Sequence, residues 1–451
     1  MRYSVRSSFR ATALVVLLGV IMTMLDTTIV NVALGTLSRD FGATPATMQW
    51  VVTGYLLALA MTVPVTGWAV GRFGARRVWL VSLVLFAAGS ALSAAAWSIG
   101  SLIAFRALQG LGGGLLLPVG QTMLAQAAGR ERMGRAMAMI SVPAMLAPVL
   151  GPVLGGVIVE GLGWRWMFLV NLPVGAAALV AALALVPREP GTDRRRLDVT
   201  GLALLSPGLA ALVHGLAEVG AGAAPPYPTL WGGLALVAAF AVRALRRPDA
   251  LVDLRLFGDR RFASAVLAMA CYSAAAFGVT VLVPLYSQFA EGGGALDAGL
   301  LLAPMGVGAA ITMPLAGRLT DSRGPRGVGA AGVVVAVLGI AAFALFGGFV
   351  PVFVLGLGHG LVSTSVMAAA FTTLDRAALP AATTLSTIAV RLAAPFGVAL
   401  LTVLTQAFTR AGVERPYAYA FGCAVVLAAV SLVPIVLIGS GTCRESSSAP
   451  A

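Results

Sequence analysis

Apolar runs long enough to cross a bilayer recur along nearly the whole chain, separated by short stretches where glycine, proline and arginine collect. A hydrocarbon core about 30 Å thick needs roughly 20 apolar helical residues. That window finds runs near 11–35, 48–70, 78–97, 100–126, 135–159, 165–186 and 199–217. It continues through 228–245, 262–287, 297–317, 327–347, 350–374, 380–407 and 417–439, which makes fourteen predicted membrane helices. Stretches rich in glycine and proline, such as 143–156, stay in the count because neighbouring helices satisfy the backbone groups they free.

Composition agrees: 451 residues, 59% hydrophobic and 10% charged, with a mean hydropathy of +0.95, exclude a soluble protein. The net charge of +13 comes entirely from arginine, since the sequence has no lysine, a bias of GC-rich coding more than of chemistry. A pI near 11.0 raises nucleic acid as a partner, but the arginines are scattered in small groups between apolar runs, which excludes it. Cys271 and Cys423 fall inside apolar runs and Cys443 in the tail, so neither a disulfide framework nor a metal site is expected. The N-terminus, with Arg2, Arg6 and Arg10, has the charge of a signal peptide, but its apolar run continues to about residue 35 and reads as an uncleaved first span.

Arginine placement orients the spans. With an even helix number and both termini inside, the inner segments hold 24 of the 30 arginines, and the outer ones only Arg39, Arg165, Arg410 and Arg415. Arg106 and Arg391 are left within spans. Two inner loops echo each other, Gly67 to Arg77 after the second span and Gly317 to Arg326 after the tenth. An offset of eight spans implies parallel repeats of six helices with two inserted between them. The expected division is therefore a first bundle over 1–187, a linker with two inserted helices over 188–261, a second bundle over 262–440 and a tail over 441–451.

An ionisable group inside hydrocarbon costs several kcal/mol, about 3 by insertion measurements, and is read first as functional. Asp26, in Leu25-Asp26-Thr27-Thr28-Ile29-Val30-Asn31, is the only acid deep within a predicted span. Desolvation favours its neutral form, so it is a candidate to take and release a proton or to pair with a cationic ligand, against a structural hydrogen-bonded carboxylate. Arg106 shares a helix face with Gln109, and its expected role is electrostatic, tuning a carboxylate, holding water or acting as a structural counter-charge. Arg391 has as candidate partners a substrate carboxylate or phenolate, a helix C-terminus or a carbonyl. Ala147, Gly151 and Gly155 form a small-residue stripe that reads as a packing face, with Pro152 as a kink. His359 reads first as a packed histidine and His214 as interfacial. Asp321 with Arg323 and Arg326 reads as a loop network, and Trp50, Trp164 and Trp166 as interfacial anchors.

Taken together these motifs resemble the 14-helix drug:proton antiporters of the major facilitator superfamily, the EmrB/QacA type, over nearly the whole chain. The likeness rests on Leu25 to Leu34, Gln49-Trp50 to Tyr55, Gly67 to Arg77, Arg106 to Gly114 and Gly151-Pro152-Val-Leu-Gly155-Gly156, then Trp164 to Phe168, Asn171-Leu-Pro173, Pro284-Leu-Tyr286-Ser-Gln288, Ala298 to Leu300 and Arg391. It implies an all-α membrane protein with the major facilitator fold, working by alternating access and not an enzyme. It also implies proton or cation handling at Asp26, with Arg106 and Gln109 in coupling. The antiporter motif Gly151, Pro152, Gly155 and Gly156 would lie between the bundles, and the inner-gate loops would use Gly67, Arg72, Gly74, Arg76 and Arg77 with Gly317, Asp321 and Gly324. Candidate substrate contacts are Asn31, Gln49, Tyr55, Tyr286, Gln288 and Arg391. Gly71 stands where the family's first inner-loop motif has an acid, which implies a looser first gate.

The expected function is proton-coupled efflux of amphipathic small molecules such as drugs, dyes or antibiotics across a bacterial cytoplasmic membrane. It would use the proton gradient and no cofactor, act as a monomer in lipid, and keep both termini in the cytoplasm. An importer or facilitator is disfavoured by the fifth-span motif, and a membrane-embedded enzyme by the lack of clustered acids or histidines.

Overall fold

The computed structural model describes residues 2–438 apart from 189, 190, 192–195, 221, 223, 224, 248, 249, 291, 293, 294, 373 and 376. Within its helices the side chains of 2–8, 31, 32, 35, 45, 46, 49, 143–149, 152, 153, 289, 295, 296 and 298 are also outside the description, as is that of Arg130. Asn31, Gln49 and Pro152 are thereby excluded as side chains, as are Ala147 and Ala298.

The first part of the chain holds α1 (Arg2–Phe41), α2 (Pro45–Thr62), α3 (Thr66–Phe73), α4 (Ala75–Ala94), α5 (Ile99–Ala128), α6 (Met133–Leu162), α7 (Trp166–Leu169) and α8 (Asn171–Leu185). Next come α9 (Val199–Gly220) and α10 (Pro228–Arg246). The last part holds α11 (Arg260–Phe289), α12 (Ala295–Arg323), α13 (Pro325–Phe346), α14 (Phe349–Thr372), α15 (Leu379–Arg410), α16 (Pro416–Val430) and α17 (Leu432–Leu437). Counting α2–α3, α7–α8 and α16–α17 as single crossings, thirteen spans are long and apolar enough over their described residues. The 30-residue α6 makes the fourteenth.

Local chemistry sets the helix ends. Thr44 caps α2 by accepting from the Thr47 N–H ahead of Pro45 at the first helical position. Ser98 and Ser101 form a reciprocal capping box on α5. Asp259 caps α11 by accepting from the N–H groups of Arg261 and Phe262. In the two echoing loops, Gly74 and Gly324 take φ of +84° and +83°, so both copies turn through a backbone state that only glycine adopts without strain. The repeat is one of conformation as well as of letters.

Small residues decide how the long helices interlock. Gly110 and Gly114 of α5 face the α2 backbone at Tyr55 and Leu59, while Gly112 faces Ser82 and Phe86 of α4, so α5 sits between those two helices. In the later part, Gly356 of α14 meets Met305 of α12, and Gly358 meets Ala336 of α13. Leu14, Val81, Val180, Trp231, Leu338 and Val433 point outward and exposed, an apolar rim suited to acyl chains.

The first and last parts meet along two flanks. On one, α6 packs against α12 and α14. On the other, Gly67 at the α3 start lies against Pro380, Ala381 and Thr384 of α15, and Thr122 of α5 shares a buried 2.8 Å hydrogen bond with Thr383. Both contacts lie towards the arginine-rich face. Towards the arginine-poor face of that second flank, α9 stands between α2 and α15. Ser206 donates to the Met61 carbonyl at 2.6 Å, His214 rests against Trp50, and Gly220 packs on Ala399. The inserted pair is pinned by Asp198 at the foot of α9 and Arg243 of α10, 2.7 Å apart. Burial alone would raise the Asp198 carboxyl, but the Arg243 guanidinium and the Gly201 N–H outweigh it and hold the group below the ordinary carboxylate range.

Candidate functional site: a buried carboxylate shared by three helices

Asp26 on α1 is buried, and each of its oxygens faces donors from other helices. Oδ2 accepts from Arg106 Nη1 of α5 at 2.7 Å. Oδ1 accepts from Gln109 Nε2 of α5 at 2.9 Å and from Asn171 Nδ2 of α8 at 3.0 Å. Arg106 and Gln109 converge because they are three residues apart on one helix face, and Arg106 Nη1 also donates to Gln109 Oε1 at 2.8 Å. Arg106 Nε reaches the Val51 carbonyl of α2 at 3.4 Å, and its guanidinium lies 4.1 Å over the Tyr55 ring and 5.7 Å from that of Phe168. Asn171 is held in turn: its amide nitrogen also reaches Ser90 Oγ of α4 at 3.0 Å, and Ser90 donates to the Phe168 carbonyl at 2.8 Å. A single carboxylate thus ties α1 to α5 and α8, with α2 and α4 in the next layer. All three partners donate, so both carboxyl oxygens act here as acceptors.

The structure brings together Asp26, Arg106, Gln109 and Tyr55 from the sequence-predicted set. Asn171 and Ser90 complete the site. The sequence presents Asn171 only as part of a motif and gives Ser90 no distinguishing mark. Their signal was a polar amide and a hydroxyl inside otherwise apolar runs, too common to single out without coordinates.

The other predicted residues fall elsewhere. Gly151 lies against Thr28 and Gly155 against Ile29, so these two glycines of the fifth-span motif face α1, two and three residues past Asp26. The helix that carries the motif, α6, does border α12 and α14 of the other bundle, with Gly134 meeting Gly317, while the described glycines Gly151 and Gly155 turn to α1. Gly156 has open space around it. Asp321 does not join Arg323 and Arg326 in a loop network. It reaches across to the start of α6, accepting from the Gly134 N–H at 2.8 Å and from Arg135 Nε at 2.8 Å. Arg76 donates to the carbonyls of Ala182 and Leu183 at 3.3 and 2.6 Å near the end of α8, while Arg72 and Arg77 stay exposed. Trp164 is buried, not interfacial, with Nε1 on Asp40 Oδ2 at 2.7 Å. Tyr286 lies in an aromatic cluster with Phe343, Tyr417 and Phe421 at the arginine-poor ends of α11, α13 and α16, and Gln288 is exposed. His359 sits against Tyr272, ring centroids 5.6 Å apart.

Residues 16–398 match the family described as the Major Facilitator Superfamily. The multidrug resistance protein B homolog of Mycobacterium tuberculosis (strain ATCC 25618 / H37Rv) is 37% identical over 462 aligned positions, which take in 97% of this chain and 82% of the relative. Among solved structures, the human organic anion transporter MFSD10 (TETRAN) is similar with a TM-score of 0.66 at 17% identity, over 96% of this chain and 99% of its own. The proton:xylose symporter XylE is similar with a TM-score of 0.61, also at 17% identity, over 94% and 95% of the two chains. Such structural likenesses speak to the fold alone, while the sequence matches go further. With thirteen apolar spans and the 30-residue α6 among its described residues, a polar site sealed inside them and a family match over most of its length, this chain is a multi-pass membrane transporter belonging to the major facilitator superfamily.

Proposed function

We propose that the chain is a proton-coupled exporter of amphipathic small molecules, working by alternating access of two six-helix bundles, residues 1–187 and 262–440, around a central cavity. The observation that carries this reading is Asp26, a buried acid whose charge is held by Arg106, Gln109 and Asn171. A proton arriving at Asp26 removes the charge that orders Arg106 and turns one oxygen from acceptor to donor, so the three-helix junction must rearrange. Thr28 and Ile29, next along α1, lie against Gly151 and Gly155 of α6, and α6 borders α12. A shift of α1 thus has a mechanical route to the other bundle. The name of the mycobacterial relative, a multidrug resistance protein, supports drug-like cargo. In this reading the arginine-rich face is cytoplasmic, both termini lie there, the membrane is the bacterial cytoplasmic membrane, and the working unit is a monomer needing only the proton gradient.

The test is dye efflux from cells expressing the wild type or Asp26→Asn, with and without a protonophore. Efflux should collapse with the protonophore and fall to the background of empty cells in Asp26→Asn at equal membrane levels. Gradient-driven efflux that persists in Asp26→Asn would overturn the role of this carboxylate.

A further inference from the structure

The charge inventory at mid-membrane is unbalanced. Asp26 is consumed by Arg106, yet a second arginine, Arg391 of α15, has no acid or hydrogen-bond acceptor among the described residues, and its Nε is buried without a partner. It lies within electrostatic reach of Tyr55, a buried α2 residue under Arg106. Its surroundings therefore include α2 of the first bundle. Arg391 sits twelve residues from the start of α15 and Tyr272 twelve from the start of α11, so both are about 18 Å along their helices at 1.5 Å per residue. His359 lies thirteen residues before the end of α14, which returns to the same face, and its ring rests on Tyr272. The helix α11 packs on both α14 and α15. The Tyr272 hydroxyl and the His359 Nδ1 are also buried without partners.

Three neighbouring helices of the second bundle thus carry, at one depth, an uncompensated cation and two unsatisfied polar groups. Buried polar groups are normally paired, and a guanidinium nitrogen sealed without an acceptor is costly to leave so. A planar fork with no partner matches a carboxylate, sulfonate or phenolate, which accepts two parallel N–H bonds. We infer that Arg391 is the counter-charge for an anionic group of the transported molecule, so that this carrier takes amphipathic organic anions, with Tyr272 and His359 supplying further polar contacts at that depth. The inference rests on the proposed alternating-access reading, in which substrate passes between the bundles, and names the class of substrate that path takes.

Binding of carboxyfluorescein to purified protein, read by fluorescence anisotropy without any pH gradient, tests this separately from export. Ethidium serves as the cationic comparison. Arg391→Gln should raise the carboxyfluorescein Kd at least about tenfold, the size expected for losing a charged hydrogen-bond partner, and Arg391→Lys should raise it less. Ethidium, which Arg391 repels, should bind more tightly to Arg391→Gln than to the wild type. A wild type that does not bind carboxyfluorescein, an unchanged Kd in Arg391→Gln, or an equal loss for both dyes, as a purely structural arginine would give, each overturns the proposal. Intact anion binding without protonophore-sensitive flux would overturn the export reading and leave the anion site standing.

Discussion

A carboxylate sealed inside a helix bundle is stable only if donors meet it lone pair for lone pair, and Asp26 has three, from side chains 80, 83 and 145 residues away in sequence. Removing one partner is therefore not a local event. Arg106→Ala strands a buried charge and is expected to cost about 3–5 kcal/mol, read as a lowered melting midpoint of the purified protein. Arg106→Lys keeps the charge but not the fork that serves Asp26, Gln109 and Val51 together or the flat stack on Tyr55, so proton-coupled flux should drop nearly as far as in Arg106→Ala. A lysine variant with wild-type flux would mean that position 106 supplies charge alone. Asn171→Ala should cost about 1–3 kcal/mol and slow coupled flux while leaving the protein in the membrane. Asp26, Arg106 and Gln109 were legible in the sequence because charge and amide stand out against hydrocarbon. Asn171 and Ser90 were not, because their role depends on where α4 and α8 cross α1, which no local pattern encodes.

At the scale of single helices, glycine works through the space it leaves. Gly151 of α6 has Thr28 where a side chain would go, whereas Gly156, five residues on, has nothing within 4 Å. Gly151→Ala is thus expected to push α6 off α1 and abolish coupled transport, and Gly156→Ala to transport as the wild type does, both measured in everted vesicles. Equal behaviour of the two variants would remove α1–α6 contact from the coupling route. The stripe itself was visible in the sequence, but which helix it faces was not, since a row of small residues has no chemical preference for one neighbour. The inserted pair offers a different element-scale prediction. Asp198→Asn should lower the thermal midpoint at neutral pH, by an amount corresponding to about 1–2 kcal/mol. Because the Asp198 carboxyl is held below its ordinary range, the stabilisation is complete above that range and is lost as pH falls through the lowered value. The difference between variant and wild type should then close in strongly acidic buffer.

Across the whole molecule, the two parts are joined at the arginine-rich face by unlike devices. One is ionic, Asp321 to Gly134 and Arg135; the other is uncharged, Gly67 packed on α15 and a hydrogen bond between Thr122 and Thr383. The second carries no charge, and Gly71 stands on that side where an acid would give the ionic form, an asymmetry readable in the sequence. The partner of Asp321, 186 residues away, was not readable, and the sequence offered nearby arginines instead. In a background without Cys271, Cys423 and Cys443, Thr122→Cys with Thr383→Cys should form a disulfide that stops transport until reductant restores it. Transport that continues with the bond formed would show that this face need not open. The placement of α9 bears on where cargo ends up. An oily compound set free sideways would dissolve into the outer leaflet and diffuse back across the bilayer, and the energy spent on it would be wasted. If the chain exports as proposed, α9, wedged between α2 and α15, closes that flank with protein and leaves a departing molecule the way into water, where dilution carries it off.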